Sequence, residues 1–176
     1  NEDGVYEGVI NDTGLVTVGS GAAGVNWTLL NTVNFTPNAK VKVVDAGNAN
    51  VFGISPIFKT RGGLTLTAPL GGQTWLAQTT QNITWTKAGN VANVNLDYDS
   101  NSGKGADNVA GNADDYNNNT PVATVLASAG SYAWAVPASV TNTGRVKITQ
   151  QADASDYDIG TDFKIMASFN VTAPES

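Results

Sequence analysis

The amino-acid sequence predicts an all-β chain built of tandem β-sandwiches, the first of them incomplete. Three observations carry that expectation. Apolar residues alternate with polar ones at a period of two, turn-forming residues fill the intervals, and the chain repeats itself. Alternation marks a half-buried strand. Ile83 and Trp85 share one face, with Asn82, Thr84 and Thr86 on the other. Val94, Leu96 and Tyr98 are expected inside, with Asn95, Asp97 and Asp99 outside. Tyr132, Trp134 and Val136 continue the pattern, as do Val146 and Ile148 against Arg145, Lys147 and Thr149. Gly, Asn, Asp and Pro lie between these segments, the residues that supply positive or fixed φ for turns. No segment has the 3.6-residue period of a helix.

The repeat sets the domain plan. Val41-Lys42-Val43, Phe58-Lys59 and Leu64-Thr65-Leu66-Thr67-Ala68-Pro69 recur as Val146-Lys147-Ile148, Phe163-Lys164 and Phe169-Asn170-Val171-Thr172-Ala173-Pro174. Val41 to Val146 and Pro69 to Pro174 are the same step of 105 residues. A period of about one hundred residues is too long for a solenoid repeat and fits one β-sandwich domain. Strands are expected near 64–68, 82–86, 92–98, 121–126, 131–136, 144–149 and 161–165. That is the strand complement of an immunoglobulin-like domain.

Residues 63–166 are therefore read as a complete immunoglobulin-like repeat. Residues 1–62 are read as the C-terminal part of a first one, and 167–176 as the first strand of a following repeat or a linker. The first unit offers Val25-Asn26-Trp27 for Tyr132-Ala133-Trp134, then Lys40 to Val43, but no counterpart of Ile83-Thr84-Trp85. Lys59–Gly63 and Lys164–Ser168 are expected to be short linkers that allow little independent swinging. A sandwich without its opening strands has open edges, and open edges recruit strands. The Phe169–Pro174 strand of one chain is thus a candidate to complete the first unit of another by strand donation.

Composition removes whole classes of function. Hydrophobic content of 41% suffices for real cores. The chain has no cysteine and no histidine, which excludes thiol nucleophiles, disulfides, Ser-His-Asp triads and histidine-containing zinc sites. Its net charge of −6 offers no basic face for phosphate, so nucleic acid is not an expected partner. No apolar run approaches the ~18–20 residues that span a bilayer, so membrane insertion is not expected either. Charged residues are only 14%, against roughly 25% in soluble domains. Asn, Thr, Ser and Gly fill the surface instead, as on proteins covered by neighbours or glycans.

Gly19-Ser20-Gly21-Ala22-Ala23-Gly24 is a full G-x-G-x-x-G, with Asp45 downstream where a ribose-binding acid would stand. The motif binds a pyrophosphate only if a helix starts at the glycines. Residues 25–38 lack an amphipathic stripe and carry Pro37, so an inter-strand loop is expected instead. Asp97, Asp99, Asn101, Asp107, Asp114 and Asp115 form an Asx-rich segment suited to calcium, which takes six to eight oxygens from flexible loops. The EF-hand template fails, since the glycine is displaced by one place and Asn108 stands where a bidentate Glu belongs. The competing reading is an exposed hairpin loop. Asp153, Asp156, Asp158 and Asp162 form a second, weaker cluster.

No catalytic constellation is present, and residues 63–166 hold no Glu to pair with an Asp for glycoside hydrolysis. Trp27, Trp85 and Trp134 are in phase with aliphatic neighbours and are expected in cores. Trp75, Tyr116 and Tyr157 are the aromatics expected to reach solvent. Asn-x-Ser/Thr acceptors occur at Asn26, Asn82 and Asn118 among others.

Pro69-Leu70-Gly71-Gly72-Gln73-Thr74-Trp75 followed by Ile83-Thr84-Trp85 resembles the opening of immunoglobulin-like (fibronectin-III-like) tandem repeats in prokaryotic cell-surface proteins of S-layer or adhesin type. A related motif occurs in the Kre9/Knh1-type domain of fungal wall proteins. The similarity runs on through Val94-Asn95-Leu96, Tyr132 to Pro137, Val146-Lys147-Ile148 and Asp162 to Ile165. The resemblance implies an extracellular, cell-surface or cell-wall location and a non-catalytic, array-forming role. Neighbouring repeats and further copies of the chain are then the expected partners, with no cofactor other than calcium. A carbohydrate-binding or adhesive module, accessory to a secreted enzyme and facing polysaccharide, is the alternative.

Overall fold

A computed structural model describes residues 36–105, 107–110, 115–116 and 122–169. The chain divides into two compact units, 1–61 and 62–176. The glycine motif at 19–24, the Val25–Trp27 segment, Asn26, Asp114, Asn118 and the 170–174 segment lie outside the described residues.

In the first unit, β1 (Lys42–Val44) and β2 (Phe52–Ile54) form an antiparallel hairpin. Asp45 Oδ1 accepts the Gly47 amide at 2.7 Å and the Asn48 amide at 3.0 Å, so it caps the connecting turn. The pairing continues outward through an Ala39–Phe58 bridge and a hydrogen bond from the Thr60 amide to the Thr36 carbonyl.

The second unit is a β-sandwich. Its strands are β3 (Gly63–Ala68), β4 (Thr74–Leu76), β5 (Thr80–Ala88), β6 (Asn93–Asp99), β7 (Ala123–Leu126), β8 (Ser131–Ala135), β9 (Thr141–Gln150), β10 (Asp153–Ile159) and β11 (Phe163–Met166). One sheet has the order β3-β5-β8, and the other runs β4-β11-β9-β6-β7 with β10 also on β9. The ten-residue β9 organises the larger sheet. Residues 145–150 pair with β6 along one edge. The opposite edge is shared by β11, near Thr141 and Gly144, and by β10, from Lys147 to Gln150.

All seven expected strands are present, with shifted ends, and two more, β4 and β10, join them. Lys164 to Met166, expected to begin a linker, belongs to β11. The core lies between the sheets. Ile83, Val94, Leu96, Val146 and Ile148 are wholly buried, joined by Leu66, Trp85, Trp134, Phe163 and Ile165. The Trp85 indole donates to the Ala127 carbonyl at 2.9 Å, which satisfies its one polar atom inside the core.

The first strand changes sheets midway. After β3 the chain turns through Pro69-Leu70-Gly71-Gly72-Gln73, and β4 then pairs in parallel with β11. The Gln73 side chain accepts the Leu70 amide at 2.8 Å, and Gly72 takes a φ of +84°. A Cβ at Gly71 would lie 2.6 Å from the Thr161 hydroxyl, so only glycine fits there. This crossover delivers Trp75 into the interior. Trp75 is 8% exposed, not solvent-facing as the sequence suggested. It packs on Phe163 (ring centroids 5.2 Å apart) and Trp134 (5.9 Å), and Tyr98 lies 4.9 Å from Trp134 on the other side. These four rings form one aromatic cluster in the core.

Candidate functional site

The acidic segment after β6 is an ordered cap, tied to β9, wherever it is described. Asp99 was expected to point outward; it is fully buried. Its Oδ1 accepts the Asn101 amide at 2.6 Å and its Oδ2 the Gly105 amide at 3.2 Å. Asn101 extends this knot, donating to the Gly105 carbonyl at 2.7 Å and the Asn108 side chain at 3.1 Å, and accepting the Lys104 amide. Short Asx side chains compete well for local amides, which is why an Asn/Asp-rich loop folds upon itself. Asp107 acts likewise on the Val109 amide at 2.8 Å. The Thr141 and Thr143 hydroxyls donate to the Ser100 carbonyl, and the Ser102 amide donates to the Thr143 carbonyl at 2.7 Å.

Tyr116 was expected at the surface and is 7% exposed. Gly103 has a φ of +74°, and a Cβ there would sit inside the Tyr116 ring, so the loop closes only over glycine. Burial raises the Tyr116 pKa, against the hydrogen bond and charge of Arg145. Arg145 also pairs with Asp162, whose other oxygen accepts the Ser102 hydroxyl at 2.8 Å. Burial pulls the Arg145 pKa down, but Asp162 and then Tyr116 leave it above its ordinary value.

Asp97 does not join this knot. It is half-buried on β6 opposite Lys147, and desolvation raises its pKa against the pull of that lysine. Asp115 is described, half-buried, next to Tyr116. Among the described residues no three acidic side chains converge closely enough to hold a metal ion. The second acidic cluster is dispersed. Asp158 Oδ2 accepts the Leu66 amide at 2.7 Å, Asp153 Oδ1 binds Ser155, Asp162 pairs with Arg145, and Asp156 is buried.

A shallow cleft of about 270 Å³ opens beside Tyr98, Trp134, Pro137 and Ser139. Tyr98 and Trp134 are themselves 5% and 7% exposed, so neither offers a free ring face for a sugar. Tyr157 is half exposed, as expected, with the Lys147 ammonium 4.9 Å above its ring. Asn82 is exposed on β5. Among the described residues no helix is long and apolar enough to cross a membrane.

The feature that residue-by-residue inspection misses is a pair of matching hairpins. β1–β2 pairs Lys42 with Ile54, Val43 with Gly53 and Val44 with Phe52. β9–β10 pairs Lys147 with Ile159, Ile148 with Asp158 and Thr149 with Tyr157. Each position moves by the step of the sequence repeat. The Ser55 amide donates to Val41 as the Gly160 amide donates to Val146, both at 2.9 Å. Ala39–Phe58 matches Gly144–Phe163, and Thr36–Thr60 matches Thr141–Ile165. On the outer face Lys42 lies 4.4 Å from the Phe52 ring, as Lys147 lies over Tyr157.

The turns differ, since β10 is bulged between Asp153 and Tyr157, and so does the burial. Ile148 is 0% exposed and its counterpart Val43 is 63% exposed. Among the described residues the candidate site is therefore this exposed hairpin face.

No family model and no curated protein matches the chain. Among solved structures it is similar to the fibronectin(III)-like modules of CbhA from Clostridium thermocellum, at 16% identity and a TM-score of 0.35, covering 74% of this chain and 60% of that one.

Proposed function

We propose that the chain is a non-catalytic, extracellular structural module of a repetitive surface protein, acting as a spacer and self-associating to build a lattice or fibre. The observation that supports this reading is the hairpin that occurs twice in one register. A protein that repeats a domain at a fixed period makes length and regular contacts. The described side chains add to this. Asp99 holds the loop after β6, Asp162 pairs with Arg145, and Trp75, Trp85 and Trp134 fill the core. In this reading the loop after β6 is held by its own hydrogen bonds. A chelator then leaves the thermal melt unmoved, and a lowered midpoint restores Asp97, Asp99, Asn101, Asp107, Asp114 and Asp115 as calcium ligands.

The direct test is co-sedimentation with insoluble polysaccharides, together with an assay for released reducing sugar. The protein stays in the supernatant and releases nothing. Retention on cellulose, chitin or cell-wall material overturns the reading in favour of an adhesive, carbohydrate-binding module.

A further inference from the structure

In the second unit β3 covers the β9–β10 hairpin. The Leu66 amide donates to Asp158, and Leu66 lies over Gly160, where a Cβ would come within 2.9 Å of its Cδ2 and 3.1 Å of the Pro69 carbonyl oxygen. Beneath this cover Val146 and Ile148 are sealed from water. The β1–β2 hairpin has the same register and leaves Val43 open.

The sequence pattern of β3 recurs at residues 169–174. Phe169 stands at the place of Leu64, Val171 at that of Leu66, and Ala173-Pro174 at that of Ala68-Pro69. Leu64 is 8% exposed, whereas Phe169 is 89% exposed. We propose that residues 169–174 of a second copy of this chain dock on the open β1–β2 face, lying there as β3 lies on β9 and β10. This rests on the self-associating reading above and names its contact.

The residue sizes fit together. Ser55 stands at the place of Gly160 and brings the Cβ that the second unit has no room for. Val171 stands at the place of Leu66 and lacks the δ-carbons that such a Cβ would meet. The hairpin has gained a side chain where the strand has lost a methylene. The Ser55 hydroxyl is folded back, accepting the Val41 amide and donating to the Pro56 carbonyl, both at 2.9 Å.

One contact is missing from the copy. Gly53 stands at the place of Asp158, so no carboxylate waits for the Val171 amide, and a Cβ at Gly53 meets nothing within 4 Å. The docking is consequently weak and can be strengthened. The hairpin face and residues 169–174 are different parts of one chain, so the proposed contact is head-to-tail and propagates. Residues 170–176 lie outside the described structure and, with Phe169, are long enough to supply a six-residue strand.

Light scattering and sedimentation velocity of the full chain over a wide concentration range test this. The chain forms dimers and longer oligomers as concentration rises. Phe169→Asp and Val43→Asp each leave it monomeric with an unchanged melt, since both residues are exposed. Mixing the two variants restores a dimer and nothing longer, because one keeps the hairpin and the other keeps the strand. Gly53→Asp shifts association to about tenfold lower concentration by adding a charge-assisted hydrogen bond. A monomer at every concentration, oligomers indifferent to both loss variants, or a mixture that stays monomeric overturns the docking. A monomer that also ignores polysaccharide leaves the spacer part of that reading standing and removes this contact and the self-association with it.

Discussion

The β9–β10 and β1–β2 hairpins share register, hydrogen bonds and a lysine–aromatic contact, yet one is the wall of a core and the other is open to water. Local chain chemistry fixes which residues pair, while burial depends on what is laid over the hairpin. The contrast teaches that a hairpin's register and its stability are separable. It also gives matched positions at which the same substitution has different consequences.

The largest difference is expected at the aromatic pair. Phe163 is 1% exposed and touches Trp75 and, more loosely, Tyr98. Phe163→Ala should cost about 3–5 kcal/mol, since a large cavity opens among rings that cannot collapse into it. Phe58 is only half-buried, so Phe58→Ala should cost about 1 kcal/mol. Denaturant unfolding of dilute protein checks both. Equal costs would mean that the first hairpin already has a cover like that of the second.

The aliphatic pair sharpens the same contrast. Ile148→Ala should cost about 2–5 kcal/mol, and Val43→Ala should stay within about 0.5 kcal/mol of zero. Hydrogen exchange at the Gly160 and Ser55 amides reports the difference without mutation. The Gly160 amide should exchange only through large-scale opening, and the Ser55 amide through local fraying.

A smaller effect tests size matching inside the second unit. Gly160→Ser installs the first hairpin's residue beneath Leu66 and should cost about 1–3 kcal/mol from overpacking. Leu66→Val alone should cost about 1 kcal/mol through lost packing. Combined, the two should be less destabilising than their sum by about 1 kcal/mol, because each relieves the other. Strict additivity would show that Ser55 and Val171 are not matched to one another.

The alternation of apolar residues made β5, β6, β8 and β9 legible, because their inward positions are aliphatic or aromatic. β10 escaped because its inward positions include Asp156 and Asp158, and a rule that tracks apolar side chains does not see a strand whose buried face carries carboxylates. β4 escaped because three residues give no period, which also misplaced Trp75. Asp99 broke phase at the end of β6, where Tyr98 and Asp99 are both buried and the carboxylate is turned toward backbone amides. Composition cannot separate a carboxylate that captures amides from one that captures a cation, since both favour Asx-rich loops. The repeat was legible at the hairpin, where the described residues of both copies share a register, but the openness of the first hairpin was not, because Val43 and Ile148 look alike until something covers one of them.

The smallest expected effect concerns a polar atom that the second unit buries. Tyr98 is 5% exposed, and its hydroxyl has no hydrogen-bond partner among the described residues. Removing an unsatisfied buried hydroxyl recovers its desolvation cost, so Tyr98→Phe should leave stability unchanged or raise it by up to about 1 kcal/mol at neutral pH. Burial, and then the neighbouring Asp99 carboxylate, push the Tyr98 pKa from 10.0 up to about 12. Between those values the unfolded chain loses the phenolic proton while the folded chain keeps it. The folded state then binds more protons, so stability is fully present below about pH 10 and declines as pH rises toward 12. Tyr116, raised chiefly by its own burial, adds a decline of the same sign. Residues 36–61 contain no tyrosine, so the β1–β2 hairpin has no such alkaline dependence of its own. Denaturant midpoints of the parent and Tyr98→Phe at about pH 8 and about pH 11 make the test, with the variant showing the shallower fall. A variant that loses stability as steeply as the parent would place the alkaline sensitivity elsewhere and show that the Tyr98 ring is not sealed as deeply as Ile148.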